Sequence, residues 1–349
     1  MNLHSRHVLA LTLALAACAA GPDYHAPDAT LAARFHGSPD GAPVGDITAQ
    51  GWWLDLNDPV LDELVETGLA QNLDIQLSLA RVAEAQAAAR ATGLPAQVGG
   101  ALTGSLARTG SDGAPATTAR TAGFAPSLVI DIFGGERRTR EQALAQLQAA
   151  ELDVGTARLA FVSALVSSYL DLRYYQEALA ISRETVASQR ETLRLVQRQR
   201  QAGMATELDE SQAQVALDES LAQIPGFEQG FYASAYAIAT LVGRPAQEIL
   251  PRLERGSAQP VPRGEAAAGV PADLLRNRPD IRSAERSLAA ATAAIGVQEA
   301  QLYPSLALEG SISLTSGNAW SFGPALTLPL LDRAALSARR DQAAAQAEQ

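Results

Sequence analysis

Residues able to do chemistry are sparse in this 349-residue chain, and they do not converge on a reaction. There is one cysteine, Cys18, so no disulfide framework can form within the chain. Beyond the first 17 residues the only histidines are His25 and His36, both in a stretch rich in Pro, Gly, Ala and Asp with no metal-ligand spacing. No HExxH, Walker A or GxGxxG pattern occurs. Carboxylates gather at Asp55, Asp58, Asp62 and Glu63, where helix capping and dipole complementarity account for them without catalysis. Arg137, Arg138 and Arg140 follow a strand and read as a solvated or headgroup-facing set. Asp131 and Glu309 fall on the polar side of alternating segments and are expected to face a lumen, making it mildly acidic. A net charge of −11 argues against nucleic acid, whose phosphates need a basic face. The expectation is no catalytic residue, no metal and no cofactor beyond a covalent group on Cys18.

The position of Cys18 explains that exception. The first 17 residues carry Arg6 and then an apolar run from Val8 to Ala17, too short to span a bilayer and typical of a secretory signal. Leu15-Ala16-Ala17-Cys18 resembles the bacterial lipobox, after which the cysteine is lipidated and becomes the new N-terminus. Acyl chains there add about 0.8 kcal/mol per buried CH₂. Ala19 follows where an Asp would signal retention, which by analogy with lipoprotein sorting favours the outer membrane.

The elements that would position these residues are of two kinds. In FAPSLVIDIF, Phe124, Leu128, Ile130 and Ile132 alternate with Ala125, Ser127, Val129 and Asp131, the period of a strand. From Glu136 to about Gln201 there is no proline and one glycine, Gly155, in a run of strong helix formers. A helix of that length is about 100 Å long, more than a compact domain of this size can bury. Apolar residues make up 47% of the chain but aromatics only 5%, which suits close helix packing better than a thick core.

Taken in order, the chain divides as follows: signal 1–17; lipidated tether 18–57; a helix over 58–97 that starts at the Asp58-Pro59 cap; a hairpin 98–133; a long helical hairpin 134–249, broken at Gly203-Met204-Ala205-Thr206; a linker 250–272; a helix 273–304; a second hairpin 305–332; and the start of a second helical hairpin, 333–349. Trp52 and Trp53 are expected to pack the tether onto the helical body. In the first hairpin Val98, Leu102 and Leu106 share a face, and residues 108–120, rich in Gly, Ser, Thr and Pro, are expected to be a loop. In the second, Leu306, Leu308, Ile312 and Leu314 alternate with Ala307, Glu309, Ser311 and Ser313, and Trp320, Phe322, Leu326, Leu328 and Leu330 with small or polar residues. Each strand has the length to cross a bilayer at a tilt, apolar side out. Pro126, Pro324 and Pro329 interrupt these strands and require bulges or strand ends.

Four strands cannot close a barrel, and open edges in lipid leave backbone groups unpaired at several kcal/mol each. Spanning strands therefore require several copies of the chain. The order helix–hairpin–helix also occurs twice: Asn72-Leu73-Asp74-Ile75 with Pro95 corresponds to Arg278-Pro279-Asp280-Ile281 with Pro304, a tandem repeat whose second copy reads as truncated at Gln349.

Several segments together carry a resemblance over nearly the whole chain: LAAC followed by GPDY; WWLDLNDPVLDELVETGLAQNLDI; GGERRTREQA; QAGMATELDESQAQVAL; LVGRP; and GVPADLLRNRPDIRSAERSLAAATAAIGVQEAQLYPSLALEGS. The chain resembles the TolC-like outer-membrane efflux proteins in their lipoprotein (OprM/NodT-like) branch. The resemblance implies an α+β membrane protein: a homotrimer with a 12-stranded β-barrel in the outer membrane, continued by an α-barrel of long helical hairpins across the periplasm. It also implies docking to a periplasmic adaptor and an inner-membrane pump, with export of drugs or other small molecules and no chemistry of its own. No gate residue is assigned, because the family's constriction lies largely on the second helical hairpin. The other readings are a lipid-anchored periplasmic coiled-coil adaptor, which leaves two alternating hairpins unexplained and needs a lipoyl-like β-domain, and a truncated fragment that does not assemble.

Overall fold

The computed structural model describes residues 19–28, 31–32, 51–262, 270–314 and 318–349. The signal, Cys18 and His36 lie outside the described residues. Contacts divide the chain into two compact units, one of Met1–Thr30, Leu79–Asp153 and Asp280–Gln349, the other of Leu31–Ser78 and Val154–Pro279.

The first unit is organised by an antiparallel four-stranded sheet of order β1-β2-β3-β4, with β1 Val98–Ser111, β2 Ala114–Ile130, β3 Ser305–Leu314 and β4 Asn318–Thr327. The expected loop over 108–120 is instead continuous ladder, since pairing runs from Val98↔Leu128 through Thr109↔Thr117 to Ser111↔Ala114. Hydroxyl residues hold this ribbon together: Ser105 and Thr121 share a 2.6 Å hydrogen bond, and Thr109 and Thr117 face each other at 3.3 Å. β-branched Thr packs well on a pleated surface. The turn is the two residues Asp112-Gly113, with Gly113 at φ +91, which a side chain would strain.

The prolines fit without large distortion. Pro126 pairs across to Gly100, and on its other side its ring lies against Gly310, where an added Cβ would sit 3.1 Å from it. Gly310 thus leaves the space that Pro126 fills. Pro324 is on β4, an edge strand of this chain, and Pro329 falls beyond the end of β4, so neither costs a central ladder bond.

The expected helix over 58–97 is in three pieces: α1 Pro59–Gln71, α2 Leu73–Arg90 and α3 Leu94–Gln97. Asn72 makes the first break. Its backbone is extended (φ −61, ψ 129), its Oδ1 accepts from Asp74 N and Ile75 N at 3.0 Å, and its amide donates to the Leu241 carbonyl at 2.9 Å. One side chain therefore ends α1, starts α2 and ties the junction to a third helix. The long helix α4 spans Gly135–Gln201, 67 residues, and is followed by α5 Glu207–Val242. Between them, Thr206 and Asp209 close a capping box. Shorter helices α6 (Ala246–Leu253), α7 (Pro271–Asn277), α8 (Pro279–Ala300) and α9 (Arg333–Ala347) complete the chain. The order helix, hairpin, helix is thus repeated, as α2-β1-β2-α4 and α8-β3-β4-α9.

The core of the second unit joins Leu61, Leu64 and Val65 of α1 to Phe161, Leu165, Tyr169 and Leu172 of α4 and to Phe231, Ala235, Ile238 and Val242 of α5. The spacing 161, 165, 169, 172 is one helical face. Trp52 and Trp53, on a 3₁₀ turn over Trp52–Leu56, pack against this core as expected. No described helix is long and apolar enough to cross a membrane.

Candidate functional site

The two faces of the sheet differ sharply. Register places Val98, Leu102, Phe124, Leu128, Ile130, Leu306, Leu308, Ile312, Trp320, Phe322 and Leu326 on one side. These side chains are turned outward: Leu102 is 84% exposed and Trp320 80%. The other side carries mainly Ala, Ser, Thr and Gly, with Val129 and Glu309, and Ser311 and Ser321 are hydrogen bonded there at 2.8 Å. An apolar face this large and this exposed is not a water-facing surface. Among the described residues β1 and β4 have no partner on their outer edges. An apolar exterior, a polar interior and unpaired edges are the parts of a transmembrane barrel still to be closed.

The two expected lumen carboxylates have different surroundings. Glu309 is on β3, opposite Ser127 and Gly323, exposed on the small-residue face. Asp131 lies just past the end of β2, and its carboxylate accepts a 2.9 Å hydrogen bond from Arg137 N in the first turn of α4. It thus acts as a cap at a helix start, where a negative charge is favoured. Pairing of Ile130 with Leu306 sets Asp131 about four residues, or about 13 Å along the strand, from the level of Glu309.

Just below the sheet, the segment after residue 18 is fastened to α4. Ala20 N donates to Phe133 O at 2.8 Å. Arg138, 3% exposed, donates to the carbonyls of Ala20 and Gly21 and to Asp23 at 2.7 Å, and also to Glu141 at 2.7 Å. The Arg138 guanidinium holds the Asp23 carboxyl below its usual range. Tyr24 donates to Glu285 at 3.1 Å, and the Arg286 guanidinium lies 5.4 Å from its ring centre. The sequence-based expectation of a solvated set is therefore wrong for Arg138, which is buried and committed. Arg137 is exposed and pairs with Glu141 at 3.1 Å. Arg140 lies beside Gly93.

In the second unit the carboxylate cluster resolves into structural contacts. Asp58 caps α1 through Oδ1, accepting from Val60 N at 2.9 Å and Leu61 N at 3.3 Å. Its Oδ2 accepts from the Tyr169 hydroxyl at 2.6 Å, and that oxygen in turn accepts from Arg173 Nε at 3.0 Å and Nη2 at 2.6 Å. Arg173 is 1% exposed and also donates to Gln176 and to the Arg255 carbonyl. Glu63 pairs with Arg252, which holds its carboxyl below the usual range. Burial, and secondarily the Asp58 charge, push Asp62 up. Asp55 stands in the 3₁₀ turn. His25 is exposed.

The buried arginines Arg138 and Arg173 were not anticipated. For Arg173 there was a signal: it sits among Phe161, Leu165, Tyr169 and Leu172, a charge within the apolar stripe of α4.

Comparison with known proteins agrees with this geometry. Residues 64–244 and 270–349 match the family model described as outer membrane efflux protein. The chain is 41% identical over 355 residues to Nodulation protein T of Rhizobium leguminosarum bv. trifolii, covering 96% of this chain and 75% of that protein. It is 31% identical over 371 residues to the pyoverdine export outer membrane protein OpmQ of Pseudomonas aeruginosa, covering 100% of this chain and 77% of that protein. Among solved structures it is similar to the outer-membrane channel OprN, with a TM-score of 0.82 at 30% identity over 95% of this chain and 78% of that one.

Proposed function

The chain belongs to the outer membrane efflux protein family, and from that premise we propose that three copies join their four-stranded sheets edge to edge into one closed barrel of twelve strands. The protein is an outer-membrane channel subunit of a tripartite efflux system, passing small molecules from the periplasmic side to the outside. Its relatives are channels rather than enzymes. The observation that supports closure by several copies is the sheet itself: an exposed apolar face bounded by edges unpaired among the described residues is stable in lipid only when β1 of one copy meets β4 of the next, and the count of three follows from the family. A periplasmic adaptor and an inner-membrane pump complete the pathway, the pump supplying the energy. The cargo is a small organic solute that crosses a bore lined mainly by Ala, Ser, Thr and Gly, with Val129 and the Glu309 carboxylate.

Acylation of Cys18 accompanies this arrangement. Ala19, one residue on, lies against Gly134 where β2 hands over to α4.

Cysteines placed at Ala101 of β1 and Ala325 of β4, both on the small-residue face, test the closure. Oxidation of the membrane-embedded protein should produce a crosslinked ladder that ends at three copies. A ladder ending at two, or a monomeric, water-soluble protein without strand content after removal of the acyl group, overturns the proposal.

A further inference from the structure

The outward face of the sheet carries charge at one place. Among its described residues, from Val98 to Leu326, the charged side chains are Arg108 and Arg120. Arg120 pairs with Leu106, and Arg108 pairs with Thr118 in the next outward-facing row, so the two arginines are diagonal neighbours on the same side of the β1–β2 ribbon. Diagonal neighbours are about 7–8 Å apart, within reach of one another's long side chains. Both are exposed and neither makes an ion pair with a described residue. Two like charges at this spacing make a positive spot that attracts an anion.

Their height is specific. The apolar face begins at Ile130, next to the helices, and β2 pairs with β3 only as far as Ala122↔Leu314. Arg120 is ten residues above Ile130, which at about 3.3 Å per residue and a tilt of about 40° is about 25 Å, the height of the lipid-facing band of such barrels. Leu106, 70% exposed, marks the last apolar position of that face on β1. The arginines thus stand at the end of the band away from the helices, at the level of the outer-leaflet headgroups.

We propose that Arg108 and Arg120 form a binding site for the phosphate groups of the outer leaflet's phosphorylated glycolipid. The inference rests on the membrane-channel reading above. Guanidinium forks match phosphate geometry, and two of them beside an apolar column fit a lipid that carries phosphate above acyl chains. The acyl chains lie along Leu102, Leu106 and Phe124, and the phosphates meet the arginines.

The test uses the purified full chain in phosphatidylcholine nanodiscs containing either bisphosphorylated lipid A or the same lipid stripped of phosphate. Lipid binding is read by native mass spectrometry, and barrel integrity by heat-modifiable gel mobility. The wild type should prefer the phosphorylated lipid. R108S/R120S should weaken that binding about twenty-five-fold, from about fivefold per arginine at an anionic lipid surface, and leave binding of the stripped lipid unchanged. R108K/R120K, which keeps the charge, should retain most of the preference. Equal binding of both lipids by the wild type, or an undiminished preference in R108S/R120S, overturns the proposal. Should R108S/R120S fail to form a barrel, the wild-type comparison and the single variants R108S and R120S decide. Conductance in planar bilayers separates the two levels: a conducting wild type without lipid preference refutes only this site, whereas a non-conducting one refutes the channel reading beneath it.

Discussion

Removing one oxygen, by Tyr169→Phe, should destabilise the helical unit more than any other isosteric change in it. The hydroxyl donates to Asp58 and accepts twice from Arg173, so a single atom bridges a buried carboxylate and a buried guanidinium. Phenylalanine keeps the ring, and with it the packing against Leu61 and Val65, and leaves the two charges facing a gap. Hydrogen bonds to charged groups contribute about 1.5–3 kcal/mol each, so three would sum to about 4.5–9 kcal/mol if independent. They are not independent. Arg173 keeps its bonds to Gln176 and to the Arg255 carbonyl, Asp58 keeps its cap, and the opposite charges attract across the gap. The expected cost is therefore about 3–4 kcal/mol, within the range for breaking a buried pair. Urea unfolding of the detergent-solubilised protein, followed at 222 nm, reads it directly. A double-mutant cycle with Arg173→Met isolates the coupling, which should reach at least about 1.5 kcal/mol; additivity within about 0.5 kcal/mol would refute the bridge. The hydroxyl also predicts a pH dependence. Burial, and then the bond to Asp58, raise the Tyr169 pKa above the usual tyrosine value. The folded state thus keeps a proton that the unfolded chain releases near pH 10, so stability is fully present below that pH and falls as pH rises above it, by up to about 1.4 kcal/mol per pH unit. The chain contains no lysine, so tyrosines dominate this window. Tyr24 is shifted in the same direction, so Tyr169→Phe should reduce the alkaline slope rather than abolish it.

Three further changes have defined outcomes. Glu309→Lys should shift the ion selectivity of channels in planar bilayers toward anions, whereas Asp131→Ala should leave selectivity unchanged and lower stability by about 1 kcal/mol through the lost hydrogen bond at the start of α4; a selectivity change from Asp131→Ala alone would reverse the assignment. Asn72→Ala should cost about 2 kcal/mol in urea unfolding, since it removes two cap bonds and a third to Leu241, and Asn72→Asp should recover part of this by restoring the acceptor. At Gly230 an added Cβ would sit 2.4 Å from the Tyr175 ring, so Gly230→Ala should cost about 1–2 kcal/mol despite alanine's better helix propensity, and adding Tyr175→Leu should relieve it; a stabilised Gly230→Ala would show that the ring moves freely.

What could be read in advance depends on how far along the chain the responsible residues lie. Strand alternation and the long helix are patterns of residues two to four apart, and a single sequence displays them in full. The break at Asn72 was local as well, but it is a side-chain cap within a run that otherwise keeps good helix formers, so composition hid it. The β1–β2 ribbon was misjudged for the opposite reason. Gly, Ser, Thr and Pro suggest a loop by type, whereas Thr109 and Thr117 stabilise a ladder only once register sets them opposite each other. The Asp112-Gly113 turn fixes that register, and it was present to be read. The buried arginines are a different case. Arg138 finds Asp23 across 115 positions, and Tyr169 finds Asp58 across 111, and no periodicity encodes a partner at such range. A charge inside an apolar helical stripe, as at Arg173, is the one trace such a pair leaves, because burying it unpaired would cost more than the fold could offset. The sheet edges obey the same reasoning one level up. Among the described residues β1 and β4 have no partner on their outer edges, and under the proposed closure the energetic cost of leaving them bare in lipid makes the fold of one chain depend on the presence of others.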